Sequence, residues 1–212
     1  MKLILSSFGL TNKTIANALA ELVGKSPSET KVGFIPTAMN VEPGNKDWFL
    51  SQFDSLCKFG YNNIDIIEIT AADVDWKARL SEVDVIFVSG GNTFHLLKCI
   101  RETGFDVWFK QNLDKFVYIG SSAGAIICTP TIAIAAVEPG DINVHNLKDL
   151  SAMNLVDFEV SPHVPEMLPY ENNEAYAKTM KNTLYCLDDD SAIEVVDGKM
   201  SVLSEGMVKR YN

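Results

Sequence analysis

Along the first two thirds of the chain, two hydrophobic patterns alternate. Short, nearly unbroken apolar runs read as strands buried on both faces: Leu3-Ile4-Leu5, Lys31-Val32-Gly33-Phe34-Ile35-Pro36, residues 64–69 and Val83-Asp84-Val85-Ile86-Phe87-Val88. Between them, apolar residues recur every three or four positions. Ile15, Ala18, Leu19 and Leu22 do so within residues 12–22, as do Phe49, Phe53 and Leu56 within 47–59. That spacing gives a helix one buried stripe. Residues 71–80, 94–100 and 105–113 predict three further helices. The alternation predicts an α/β fold: a mainly parallel sheet sandwiched by helices, whose ligand site lies beyond the carboxyl ends of the strands.

After Pro130 the pattern loosens. Residues 131–142 predict a short strand and a loop, and Phe158-Glu159-Val160 a strand ending at Ser161-Pro162-His163. Residues 174–180 predict a helix. Residues 191–203 predict a C-terminal β-hairpin turning at Asp197-Gly198. No repeat, low-complexity tract or linker interrupts the 212 residues, which read as one domain, 1–212.

The stretch that carries chemistry is Phe116-Val117-Tyr118-Ile119-Gly120-Ser121-Ser122-Ala123-Gly124-Ala125. An apolar strand runs into Gly-Ser-Ser-Ala-Gly and then into an apolar helix start. This is the G-x-S-x-G pattern, in which a sharp strand-to-helix turn lifts a serine hydroxyl clear of the sheet. Ser122 alone has glycines at both −2 and +2. The ordinary alternative is a turn made of small residues.

A serine hydroxyl needs a neighbouring base, usually histidine held by a carboxylate. Of three histidines, His95 sits in an apolar helical run and His145 in a polar segment, whereas His163 follows a strand end between Pro162 and Pro165. His163 is therefore the candidate base. The order serine, acid, histidine places the acid among Glu138, Asp141, Asp149 and Asp157, each otherwise a solvated loop charge; a pair without a carboxylate is the alternative. The backbone N–H groups of Ala123 and Gly91 are candidate oxyanion donors. Asn92 and Thr93, at the same strand end, are candidate substrate-binding residues or else cap the next helix.

Composition narrows the partners. A net charge of −10 and a pI near 4.7 argue against nucleic acid or an anionic membrane. Cys57, Cys99, Cys128 and Cys186 form no C-x-x-C pair, so no zinc or redox motif is indicated; they read as buried thiols of a cytoplasmic protein. The N-terminus begins like a signal peptide, but its apolar run of Leu3-Ile4-Leu5 is too short for one and reads as the first strand. No stretch approaches the ~18–20 apolar residues a membrane span needs. Nothing indicates a metal or an organic cofactor. An α/β-hydrolase esterase shares the elbow, but this chain has no HGGG-type oxyanion motif and its histidine follows the serine too soon. A cysteine-based enzyme is disfavoured because the elbow holds serine.

Taken together, Gly90-Gly91-Asn92-Thr93-Phe94 with Leu96-Leu97-Lys98, Tyr118-Ile119-Gly120, Ser122-Ala123-Gly124-Ala125, Cys128, Pro130-Thr131-Ile132 and Pro162-His163 resemble the serine peptidase family of peptidase E (α-aspartyl dipeptidase) and cyanophycinase. The resemblance spans roughly residues 2–165. It implies a class I glutamine amidotransferase-like (flavodoxin-like) fold and hydrolysis of short peptides, with Ser122 as nucleophile, His163 as base, and Gly91 with Ala123 as oxyanion donors. Two departures stand out. Where peptidase E carries its aspartate, an ungapped match puts Val137, one position before Glu138, which makes Glu138 the expected third member. Where peptidase E carries a substrate-binding arginine, this chain has Glu171-Asn172-Asn173-Glu174-Ala175-Tyr176, and a pocket lined by Glu171 and Glu174 would repel an aspartate. The alternative is a non-catalytic binding or regulatory relative.

Overall fold

A computed structural model describes residues 1–212. The chain opens with β1 (Lys2–Ser6), α1 (Lys13–Val23), β2 (Lys31–Ile35), α2 (Asp47–Lys58) and β3 (Asn63–Ile66). It continues through α3 (Trp76–Leu80), β4 (Val85–Val88), α4 (Thr93–Thr103), α5 (Phe105–Lys110), β5 (Val117–Ser121) and α6 (Ala123–Ile126). The last part holds β6 (Glu159–Ser161), α7 (Tyr170–Ala177), β7 (Leu184–Leu187), the hairpin β8 (Ser191–Val196) and β9 (Lys199–Ser204), and finally β10 (Val208–Tyr211).

The main sheet has the order β3-β2-β4-β5-β1-β8-β9. Its first five strands are parallel, while β8 and β9 are antiparallel to their neighbours. Period-two alternation divides each central strand between two cores. Leu3, Leu5, Ile86, Val88 and Tyr118 face one side; Ile4, Val85, Phe87, Val117 and Ile119 face the other. The second side is closed by α1 and α2 through Ile15, Leu19 and Leu56. The first side is closed by α3 to α6 and by a second sheet, β10-β7-β6, whose Val160, Leu184 and Leu187 join the same core. No helix is long and apolar enough to cross a membrane.

The hairpin forms as its sequence predicts, with Asp197 and Gly198 both at positive φ. Three regions differ from expectation. Residues 131–142 form a 3₁₀ turn at Ala133–Ala136 and one isolated bridge, Thr131 to Ser151, rather than a strand. Ile134 and Ala135 are consecutive and both buried, which a strand with one covered face cannot achieve. The last helix starts at Tyr170, directly after Pro169, and ends at Ala177; proline readily opens a helix because the N–H it lacks would be unpaired there. Of the second sheet the sequence predicts only β6, because β7 and β10 are four residues long and carry no distinguishing pattern.

The two glycines of the elbow are required by packing. A Cβ on Gly120 would lie 2.2 Å from the Gly124 carbonyl oxygen, and one on Gly124 would lie 2.3 Å from that of Val88. Their absence lets α6 settle directly onto the ends of β4 and β5. Both obstructions are backbone, so relief requires the helix to move. We expect Gly120→Ala and Gly124→Ala each to destabilise the fold by about 3 kcal/mol in urea unfolding, whereas Gly24→Ala, whose Cβ would meet nothing within 4 Å, tests positive-φ strain alone and should cost about 1 kcal/mol.

Candidate active site

Five strand ends converge at the carboxyl edge of the two sheets, each delivering one side chain or backbone group. They are Ser7 after β1, Gly91 after β4, Ser122 after β5, His163 after β6 and Asp189 after β7. Ser122 sits at φ 51°, ψ −111°, a conformation that L residues rarely adopt. Its N–H donates to the Ser6 carbonyl (3.0 Å), which fixes the turn against β1.

The Ser122 Oγ lies 2.9 Å from His163 Nε2, and His163 Nδ1 lies 2.6 Å from Asp189 Oδ1. Burial works against the charge of Asp189, but the hydrogen bond and charge of His163, with the Ser7 hydroxyl, outweigh it and hold the carboxyl below its usual range. An ionised carboxylate can only accept, so Nδ1 carries the proton and the lone pair on Nε2 faces the Ser122 hydroxyl. Ser7 ties the arrangement together. Its Oγ donates to Asp189 Oδ1 (2.9 Å) and accepts from the His163 backbone N–H (2.8 Å). Phe8 then packs edge-on against the imidazole, with ring centroids 5.9 Å apart. His163 itself is at φ 58°.

The third group on the histidine is therefore Asp189, which the sequence reading did not single out, and not Glu138. Glu138 is exposed, and the group it engages is its backbone carbonyl, which accepts from Asn172 Nδ2. Asp149 pairs with Arg101 on the surface, and Asp157 is exposed. Asp189 comes into place because β6 and β7 are parallel with Ser161 opposite Cys186, and because the Val164 N–H donates to the Leu187 carbonyl (3.0 Å). The residues just beyond both strand ends then meet.

Gly91 lines the same cavity as Ser122 and sits at φ 132°, where a Cβ would come within 2.5 Å of Ala38. The N–H groups of Gly91 and Ala123 take no part in the turn and cap hydrogen bonds around them. The loop is held by buried Gln52 of α2, whose Oε1 accepts from the Gly90 N–H (3.1 Å). Asn92 is a helix cap: its Oδ1 accepts from the His95 N–H and its Nδ2 donates to the Ile142 carbonyl, and it does not line the cavity. Thr93 does line it, and its N–H donates to Asp141 Oδ2 (2.7 Å). His95 and His145 bond to each other at 2.9 Å, away from Ser122.

Ser122, His163 and Asp189 open into a cavity of about 350 Å³, walled by Phe8, Trp48, Ile134 and Leu168 among others. Its carboxylates are Glu42, Asp141 and Asp189; no lysine or arginine lines it. Glu171 and Glu174, the acids expected there, lie on α7 outside the cavity.

A model described as peptidase family S51 matches residues 3–203. The chain is 32% identical over 160 residues to a Pasteurella multocida (strain Pm70) protein called Uncharacterized peptidase PM1590, over 72% of this chain and 74% of that one. It is 29% identical over 135 residues to Peptidase E of Escherichia coli O139:H28, an alignment covering 63% of this chain and only 57% of the relative. A crystal structure from Listeria monocytogenes EGD-e, described provisionally as a peptidase E protein, superposes with a TM-score of 0.81 at 27% identity. That superposition covers 97% of this chain and 98% of the other.

Asp141 gives a test that does not depend on activity. Burial pushes its carboxyl above the usual range, with the Thr93 hydrogen bonds opposing and the charge of Glu42 adding to the rise. The native state thus holds its proton to higher pH than the unfolded chain does, and stability falls as pH rises from about 3.8 through the raised native value. Asp141→Asn keeps an acceptor for Thr93 and removes the charge. The variant is expected to melt above the wild type at pH 7, the difference vanishing below about pH 3.8; a difference independent of pH would contradict this electrostatic origin.

Proposed function

Since the chain belongs to peptidase family S51, we propose that it hydrolyses short peptides through an acyl-enzyme on Ser122. The observation that carries this reading is the unbroken line from Ser122 Oγ through both nitrogens of His163 to Asp189. His163 takes the hydroxyl proton at Nε2 as Oγ attacks the peptide carbonyl carbon. The negative charge that develops on the carbonyl oxygen is met by the N–H groups of Gly91 and Ala123, which cost nothing to reorganise because the Ala38 backbone and Gln52 already fix the loop. The same proton then goes to the leaving amine, and the C–N bond breaks. Water, deprotonated by the same nitrogen, then attacks the ester carbonyl; the bond to Oγ breaks, Nε2 returns the proton to Oγ, and the acyl group leaves as the free acid.

Asp189 keeps its negative charge throughout. It holds the imidazole in the reactive tautomer and stabilises the imidazolium as it forms. The displaced carboxylate that favoured a non-catalytic relative is supplied by Asp189, so the catalytic reading is the better supported one. A cavity of about 350 Å³ suits a dipeptide or a short peptide end. Aspartyl specificity is not supported, because no cationic side chain lines the cavity to hold a second carboxylate.

The deciding experiment is hydrolysis of a dipeptide panel by wild type and three variants. Ser122→Ala should lose at least about 10⁴-fold in kcat, and Asp189→Asn about 10³–10⁴-fold, by analogy with triads in general. Glu138→Gln should stay within about twofold of wild type. Unchanged hydrolysis in Ser122→Ala sinks the nucleophile assignment, and a large loss in Glu138→Gln with none in Asp189→Asn sinks the choice of acid.

A further inference from the structure

The cavity beside Ser122 contains acceptors that the proposed reaction does not use. Asp141 bonds Thr93, its Oδ2 accepting from the N–H at 2.7 Å, and no lysine or arginine of the cavity neutralises it. The carboxylate is held tightly: the Asp141 N–H donates to the Ala135 carbonyl (2.8 Å), and the carbonyl of the next residue, Ile142, accepts from buried Asn92. Glu42 lines the same cavity, close enough for its charge to act on Asp141. Ser161, fully buried on the cavity wall, has a hydroxyl oxygen with no hydrogen-bond partner. Such orphaned groups are rare and call for an explanation. Trp48 and Phe8 supply aromatic faces.

Carboxylates, an unpartnered hydroxyl and aromatic rings, with no lysine or arginine among them, form a receptor for a donor-rich cation. Resting on the peptidase reading above, we propose that the acyl-side residue of the substrate presents a positively charged nitrogen to Asp141 and Glu42. That nitrogen has two possible sources, the α-ammonium of an N-terminal residue or the side chain of lysine or arginine. The competing explanation is structural: Asp141 sits at the start of α4 and bonds its first N–H, as a helix cap does. Asn92 already fills the cap position through His95, however, and capping explains neither Glu42 nor the unpartnered Ser161 hydroxyl.

The two explanations part in the Asp141→Asn variant, which keeps the cap acceptor and loses the charge. Four substrates suffice: Lys-Ala, Asp-Ala, Ala-Ala and acetyl-Ala-Ala, each compared by kcat/KM. A side-chain source gives Lys-Ala at least about 100-fold over Asp-Ala, since a like charge would face the two acids. An α-ammonium source gives Ala-Ala a similar advantage over acetyl-Ala-Ala. Whichever ratio appears should shrink at least tenfold in Asp141→Asn, and also fall in Glu42→Gln, a change on the partly exposed rim that spares the α4 terminus. Ratios near one, or ratios that both variants leave intact while hydrolysis still requires Ser122, overturn the cation site and leave the peptidase reading standing. No hydrolysis of any of the four overturns both.

Discussion

The close approach of α6 to the ends of β4 and β5 is the constraint on which the site depends. Two backbone oxygens, of Gly124 and Val88, occupy the places where Cβ atoms would stand on Gly120 and Gly124. With α6 pressed so near, the chain between β5 and α6 has no room for an ordinary turn, and Ser122 takes a backbone conformation that an L residue otherwise avoids. The Tyr118 hydroxyl, buried beneath, donates to the Gly124 carbonyl (2.7 Å) and keeps the helix from lifting. The strain is tolerated because packing on both sides leaves no relaxed alternative. The exposed hydroxyl is its consequence.

A second constraint is the seating of the small sheet. His163 and Asp189 are not carried by the main sheet at all; they project from the ends of two parallel strands packed against one of its faces. Their position relative to Ser122 is therefore set by a hydrophobic interface, in which Val160, Leu184 and Leu187 meet the core under α6, and by Ser7. Ser7 follows β1 of the main sheet, and bonds both the backbone of the histidine and the carboxylate behind it. One hydroxyl thus locks the two sheets in register where the chemistry needs them to agree.

This division also explains what could be read from the sequence. The long parallel strands and amphipathic helices were legible because their apolar periods are regular, and the elbow because its glycines are fixed by contact at short range. His163 was legible from its prolines. Asp189 was not. It lies in Asp188-Asp189-Asp190 after the four-residue strand β7, and such a triplet has the pattern of a solvated turn. One of its members does make the turn: Asp188 takes hydrogen bonds from the Ser191 hydroxyl and from the N–H groups of Asp190 and Met207. Only the parallel pairing of β6 with β7, a contact between distant segments, separates the turn-forming aspartate from the one on the histidine. Searching for the acid between serine and histidine could not find a residue that follows both.

The acidic wall of the cavity bears on the base as well as on the substrate. In the proposed reaction His163 becomes an imidazolium as the serine hydroxyl attacks, and a cation forming in a half-enclosed site is costly unless fixed negative charge lies nearby. Asp189 supplies that charge by direct hydrogen bond. Asp141 supplies more at longer range, since its own ionisation is eased by the charge of His163. The fold keeps Asp141 half-buried, beside Glu42 and bonded by no lysine or arginine, although each of those circumstances disfavours its charged form. The arrangement lowers native stability at neutral pH, and in the proposed reaction it would favour positive charge in the cavity, whether that charge arrives on a substrate or is created on the histidine.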